Sequence, residues 1–530
     1  MADASPLTHS EIARAPTSGH GLMGVSDVVT VSTMTAVASL LLLRALTTGL
    51  LGDELLFVHA IDLGFVPSLC ETGSSHPPLV RLIVGSIANS SSPDWLLRLP
   101  SVIFSVATVF VWSRVLRRLI LDKTSRSLLL VAMALNPIWV ELGFQCLPYA
   151  ALTFFASLHC LAWLQICSAR TKTATAVFVL TGIALPWTHF LGVNMLLADV
   201  LIWIAMLIGR RATLRHAIRT NLTICACTLA VVPIALFYIQ VEAPYPLVEI
   251  DDFPAYFHRT SSLIFSHLTF SVFMTTLPLY IALYLSCAFF LWHSLRAADR
   301  NVENTTAGII AVGAMLSGFT ATQILSVASQ NAMWPRYMLT GAWIHLPLIA
   351  FLLHRFSGRR LSMVFSAAAA CCAASGLLTS PQVAGTGYDD VSSHISRNWQ
   401  KSDAFLAQSM DFWSGPNHFD QLWFRRYVSR SHRIVSGPPT IRRDLHTDGL
   451  PLQMVDAGVD RVWVYSHLFR TEWMIDHPVD GWVLRSLHST HAQCALALFE
   501  RMGSSDVMVT TPQAMPAPCE FPETFVARAW

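Results

Sequence analysis

The residues best equipped for chemistry stand at the ends of apolar runs. Gly52-Asp53-Glu54 follows the first long run. A carboxylate held at a water–lipid boundary is partly desolvated, which raises its basicity and suits it to act as a general base or a metal ligand. Solvated charges at a helix end would occupy the same positions. His76-Pro77-Pro78-Leu79 is a turn signal. The paired prolines force an extended entry and then permit a helix to start. His76 thereby comes near a helix N-terminus, where an anionic phosphate is favoured, although an ordinary loop histidine would read the same way. Leu97-Arg98-Leu99-Pro100-Ser101 opens the next run, with Arg98 either in a site or snorkelling to the interface. Pro137 leads to Glu141 and then to Gln145-Cys146-Leu147-Pro148-Tyr149; Thr188-His189-Phe190 and Trp334-Pro335-Arg336-Tyr337 follow at later turns. None of these is specific alone. Their meaning depends on whether one side of the molecule gathers them.

The elements that position them are apolar. Hydrophobic residues make up 53% of the 530 positions and charged residues only 13%, against about a quarter charged in soluble domains. Eleven runs approach the roughly 20 residues needed to cross hydrocarbon: 28–51, 96–119, 127–145, 148–168, 174–189, 191–209, 220–240, 270–294, 306–328, 338–355 and 361–379. Positions 78–88 are too short to span and read as an interfacial or re-entrant helix. The first run lacks a small-residue cleavage site and reads as a retained anchor after a polar cytoplasmic arm, 1–27.

Cations orient the runs. With the N-terminus inside, the inner loops hold Arg114, Arg117, Arg118, Lys123, Arg126, Arg170, Lys172, Arg210, Arg211, Arg215, Arg219, Arg296, Arg300, Arg355, Arg359 and Arg360. The outer loops hold only Arg81, Arg98, Arg259 and Arg336. The expectation is an all-α polytopic membrane protein of about eleven helices, N-terminus in and C-terminus out. Its membrane domain is 28–380, with a first outer loop over 51–95. Residues 381–530, far more polar, form a small extracytoplasmic α/β domain with strands at Arg461–Ser466 and Asp506–Thr510 and a helix over Ser489–Met502. Every candidate residue falls on the outer face. Most cysteines lie in apolar runs as small hydrophobes; Cys494 and Cys519 would be free to pair in an oxidising compartment. Arg44 and Asp199 lie at comparable depths within runs, and buried charges pair, so an Arg44–Asp199 pair is expected. Without a basic tail or an aromatic-basic patch, nucleic acid is not an expected partner.

The order Asp-Glu, then a basic-Pro-Pro-Leu turn, then Arg-Leu-Pro-Ser resembles the polytopic glycosyltransferases of the GT-C fold, most closely the protein O-mannosyltransferase and aminoarabinose-transferase-like families. The Pro-Tyr, Thr-His-Phe and Arg-Tyr turns also look like the bacterial members. The resemblance covers roughly 50–350 at motif level. It implies an enzyme that moves a sugar, usually with inversion, from a polyprenyl-phosphate carrier to an acceptor hydroxyl on a glycolipid, glycan or protein of the envelope. The sugar is a hexose or a pentose. The site would face the periplasm or exterior from a bacterial inner membrane.

By motif match Asp53 is the catalytic carboxylate, with Glu54 beside it. His76 takes the place of the family's basic residue facing the lipid phosphate. Arg336, Arg98 and His189 are further phosphate contacts, and Glu141, Gln145, Tyr149 and Tyr337 face substrate. No cofactor is implied, and a divalent metal is left open. The chain departs from bacterial members where Glu-x-Arg precedes the Pro-Tyr pair: Gln145 and Leu147 stand there. Glu141, one turn earlier on the same helix face, is the substitute carboxylate. A histidine in place of a permanent cation implies phosphate binding that weakens above about pH 6.5. Two other readings compete, a lipid or sugar transporter and a catalytically inactive GT-C relative. Paired interrupted helices of the inverted-repeat kind, which mark many transporters, are not evident.

Overall fold

The computed structural model describes residues 25–50, 52–61, 76–120, 122–169, 171–208, 214–229, 343–379, 388–407, 419–428, 434–436, 458–466, 481–491 and 494–502, together with Leu285 and Phe289. The run expected over 306–328, all of the run over 270–294 but Leu285 and Phe289, the strand at Asp506–Thr510, and Cys519, Arg336 and Tyr337 lie outside the described residues.

The helices follow the apolar runs. They are α1 (Val25–Thr47), α2 (Gly52–Ile61), α3 (Leu79–Gly85), α4 (Asp94–Leu119), α5 (Lys123–Ala134), α6 (Pro137–Gly143), α7 (Tyr149–Ala169), α8 (Lys172–Thr188), α9 (Val193–Ile208), α10 (Leu214–Thr228), α11 (His345–Ser357) and α12 (Arg359–Thr379). Four of them, over Asp27–Thr47, Asp94–Leu119, Tyr149–Ile166 and Arg359–Leu378, are long and apolar enough to cross a membrane. α4 packs between α1 and α7, α7 against α8, and α5 against α12. Trp112, Trp163 and Phe178 are fully buried at the centre.

One expectation needs correction here. The run over 127–145 is not one helix. Pro137 has no amide to continue the ladder, so α5 ends at Ala134 and α6 restarts at Pro137. The Asn136 carboxamide oxygen accepts from the Trp139 amide at 3.3 Å and caps the new start. Asp53 and Glu54 stand in the first turn of α2.

The C-terminal region is a small α/β unit, with α13 (Tyr388–Asn398), β1 (Asp403–Ala407), α14 (Phe419–Tyr427), β2 (Ile434–Ser436), β3 (Arg461–Ser466), β4 (Trp482–His491) and β5 (Cys494–Arg501). The strand order is β2-β1-β3-β5-β4. β1 is parallel to β2 and β3, and β5 is antiparallel to β3 and β4. β3 matches the expectation. Ser489–Met502 is not a helix: Ser489–His491 are the end of β4 and Cys494–Arg501 form β5. The alternation Ala495-Leu496-Ala497-Leu498-Phe499 suits either state by composition, and pairing on both sides of β5 decides it for strand. Alternation sorts the sheet into two faces. Phe405, Trp463 and Leu496 face α13, α14 and the helical bundle, in one apolar cluster with Leu50, Leu55, Phe57 and Tyr149. Ala404, Leu406, Val462, Val464, Ala497 and Phe499 form the other.

Candidate functional site

The antiparallel packing puts the C-terminal end of α1, the start of α2, the start of α4, the end of α6, the start of α7 and the end of α8 at one end of the bundle. The opposite end is basic: Asp27 at the start of α1 pairs with Arg117 at the end of α4, and Asp122 before α5 pairs with Arg359 at the start of α12 at 2.7 Å. The sequence candidates among the described residues all fall at the first end.

Glu54 and Arg98 are at its centre, both fully buried. Arg98 Nε donates to Glu54 Oε1 at 2.9 Å and Nη2 to Oε2 at 2.5 Å. Nη1 donates to the Thr48 carbonyl at 2.6 Å and its hydroxyl at 3.0 Å, and Nη2 to the Gly49 carbonyl at 2.8 Å. A guanidinium has five N–H groups, and these five contacts use all of them. Arg98, expected to face the lipid phosphate, therefore has no donor left for it. Glu54 Oε1 also accepts from the Cys146 amide at 2.7 Å. Glu54, expected beside Asp53 as a catalytic group, instead ties α2, α4, the end of α1 and the turn before α7 together. The Arg98 guanidinium also lies 5.0 Å from the Phe144 ring centre. Asp53 stands one residue before Glu54 in the first turn of α2.

A second cluster draws on three distant turns. The His76 ring centre is 5.0 Å from that of His189 and 6.0 Å from that of Tyr149, and the Tyr149 and His189 rings are 5.7 Å apart. The turn at His76 is fastened by Arg81, whose Nη2 donates to the His76 carbonyl at 2.8 Å. His189 has extended backbone (φ −155°, ψ 141°) and so ends α8. Its Nδ1 accepts from the Leu191 amide at 3.1 Å, which leaves the neutral ring's proton on Nε2. Gly192 makes this turn feasible, because a Cβ there would lie 2.3 Å from the Leu185 carbonyl. Tyr149 follows Cys146 by three residues, so its Cα lies within about 11 Å of the Cα whose amide Glu54 holds. The histidine–tyrosine cluster and the start of α2 are thus neighbours.

Glu141 lies on the same side, 26% exposed, with Arg44 Nη1 at 3.9 Å and Gln145 Nε2 at 3.3 Å. The expected Arg44–Asp199 pair does not form. Asp199 instead meets His159 Nε2 at 2.9 Å and accepts from Trp163 Nε1 at 2.5 Å, deep in the bundle.

Sequence reasoning missed three contributors. Gly49 acts through its backbone oxygen alone and Thr48 through its backbone oxygen as well as its hydroxyl, and residue type does not reveal a backbone contact. Tyr427 on α14 accepts from the Leu50 amide at 2.6 Å and donates to Asp94 at 2.5 Å, and nothing local marks a pairing across more than three hundred positions. Among the described residues no group of three or more His, Cys, Asp or Glu side chains is arranged to hold a metal ion.

No family model matches the chain, and no curated protein matches it. The chain is similar to several solved structures. One is ArnT from Cupriavidus metallidurans bound to undecaprenyl phosphate, 14% identical over 88% of this chain and 97% of that one, with a TM-score of 0.41. The Saccharomyces cerevisiae protein O-mannosyltransferase Pmt1–Pmt2 complex bound to its sugar donor is 17% identical over 42% of this chain and 34% of that one, TM-score 0.31. The arabinosyltransferase EmbB from Mycobacterium smegmatis is 13% identical over 70% of this chain and 42% of that one, TM-score 0.33.

Proposed function

We propose that the chain is a membrane glycosyltransferase of the GT-C kind, transferring a sugar from a polyprenyl-phosphate donor to an acceptor hydroxyl at the end of the bundle away from the basic loops. That end is the outer face, in a bacterial inner membrane. The observation that carries the reading is the convergence of His76, Tyr149 and His189, from three separate turns, beside the first turn of α2.

The chemistry needs few groups. The lipid phosphate departs carrying negative charge, so donors aimed at its oxygens stabilise the transition state. His76 and the Nε2–H of His189 supply them, with Arg336 as a third. The departing phosphate needs no dedicated acid. A sugar or protein hydroxyl is a weak nucleophile, and Asp53 removes its proton as the bond to the anomeric carbon forms, a contribution of roughly 10²–10⁴-fold. Attack opposite the phosphate inverts that carbon. Glu141, Gln145, Tyr149 and Tyr337 contact the sugar or acceptor. Glu54 and Arg98 hold the scaffold from which Asp53 projects.

The test is transfer from a radiolabelled undecaprenyl-phosphate sugar to crude envelope acceptors. Wild-type protein transfers label, and Asp53→Asn loses at least about a hundred-fold of the rate. Equal transfer by both proteins removes Asp53 from the mechanism. Movement of the donor across liposomes without transfer replaces the enzyme reading with a transporter.

A further inference from the structure

α14 carries two adjacent side chains from the C-terminal unit to the bundle. The Arg426 guanidinium donates to the Asp94 carboxylate, through Nε at 3.0 Å and through Nη2, and also to the backbone carbonyls of Ser90 and, at 2.8 Å, Ser92. Tyr427 is next to it. A hydroxyl has one proton, so the bonds at Tyr427 run in one direction. The Leu50 amide donates to the phenol oxygen, and the phenol donates to Asp94. Burial raises the Tyr427 phenol above its ordinary range and the Asp94 carboxylate beside it raises it further. The hydroxyl keeps its proton wherever the protein works.

Leu50 is fully buried and lies in the connector between α1 and α2. The two residues before it, Thr48 and Gly49, give their carbonyls to Arg98. Three consecutive backbone units are therefore gripped, two by Arg98 of α4 and one by Tyr427 of the C-terminal unit. Asp53 follows three residues later, in the first turn of α2. A buried amide must have a partner, and here Tyr427 supplies it.

We propose that Tyr427 is a positioning residue for Asp53: through the Leu50 amide it fixes the connector from which α2 projects, and so makes the C-terminal unit a working part of the transfer site. The role of Asp53 rests on the glycosyl-transfer reading above; the grip on Leu50 does not.

Tyr427→Phe removes both hydrogen bonds and keeps the ring. In the full chain, peptides covering residues 48–57 should exchange amide hydrogens faster in this variant. With the undecaprenyl-phosphate sugar donor, kcat should fall about ten-fold, the loss expected from one misplaced hydrogen-bonded group, while KM for the donor stays within about two-fold. The acid limb of the kcat–pH profile, which reports the base in the bound complex, should move. Arg485→Gln, which breaks an exposed pair with Glu500 on the same unit's sheet, should change none of these. Asp94→Asn, weakening the relay from its other end, should repeat the pattern where Tyr427→Phe folds poorly.

Unchanged exchange at 48–57 overturns the proposal. So does faster exchange with unaltered kcat, and so does a loss of rate identical at every pH, which is only a smaller active fraction. Should Asp53→Asn transfer sugar like wild type, the transferase role of Asp53 falls and the positioning role falls with it. The exchange measurement needs no donor and separates that failure from a missing grip on Leu50.

Discussion

Replacing Glu54 or Arg98 offers a test of the site's foundation that needs no substrate. Both side chains are fully buried, and the guanidinium meets five acceptors, two of them carboxylate oxygens. Glu54→Gln keeps the shape but leaves the Arg98 charge without its counterion, and turns an amide N–H₂ toward a guanidinium N–H. Arg98→Met leaves the carboxylate alone with the Cys146 amide. Stranding either charge in a dry interior should cost about 3–5 kcal/mol. In the double variant neither charge remains. The glutamine carbonyl still accepts from the Cys146 amide, and the residual loss is the two abandoned carbonyls of Thr48 and Gly49, about 1–3 kcal/mol each at most.

The double variant should therefore be more stable than the sum of the singles by about 4 kcal/mol at the middle of these ranges. Arg98→Lys should behave as a loss rather than a conservative change, because an ammonium has three donors and cannot make the side-by-side pair. The assay is reversible unfolding in mixed micelles titrated with a denaturing detergent, followed by tryptophan fluorescence and circular dichroism. Additivity of the two singles within about 0.5 kcal/mol would refute the reasoning. So would an Arg98→Lys protein of wild-type stability that had lost affinity for undecaprenyl phosphate, since that is the behaviour of a phosphate ligand.

Three further outcomes follow from other contacts. Asp122 caps α5, accepting from the Ser125 amide and hydroxyl at 2.8 Å each, and Asp122→Ala should cost about 1 kcal/mol in the same unfolding assay. Burial pushes its carboxyl up, but the Ser125 bonds and Arg359 outweigh this and hold it below its ordinary value. Its contribution should thus be complete above the unfolded value near 3.9 and disappear as pH falls below it, so the stabilities of wild type and Asp122→Asn should converge in acid; a constant gap contradicts the assignment. His76→Ala should weaken undecaprenyl-phosphate binding about ten-fold and His76→Arg should retain it, since a guanidinium also donates to phosphate; unchanged binding in His76→Ala would remove His76 from the phosphate. Asp199→Leu and His159→Leu should each lower the yield of folded protein far more than the double change does, because each single strands one member of a buried pair; equal losses in all three would show that the pair is not a unit.

The sequence made the bundle and the end that gathers the candidates legible because hydropathy and cation placement act over whole helices. Convergence of His76, Tyr149 and His189 could be read from the side on which each turn fell, since chain direction alone fixes that. The two corrections inside the site have a different origin. Motif match is what assigns Arg98 and Glu54 to chemistry. Their partners are a carboxylate 44 positions away and two backbone carbonyls, and neither leaves a mark on local composition. The misread β5 has a similar cause: alternating Ala and Leu specify no state until β3 and β4 pair with them.

Asp199 shows where such reasoning reaches its limit. Reading by depth alone gives Arg44 as its candidate partner. Rise along a helix fixes depth at 1.5 Å per residue, but pairing also needs azimuth, and that depends on which helices are neighbours. α9 turns Asp199 toward α7, where His159 lies about 15 Å below Tyr149, and Arg44 on α1 turns to Glu141. His159 Nδ1 is hydrogen-bonded in turn to the Thr181 hydroxyl at 2.8 Å. This paired cluster offsets the cost of burying its polar groups in hydrocarbon. It joins α7, α8 and α9 directly beneath the turns that carry Tyr149 and His189, so the polar residues at mid-bundle hold in place the helices on which the proposed phosphate site is built.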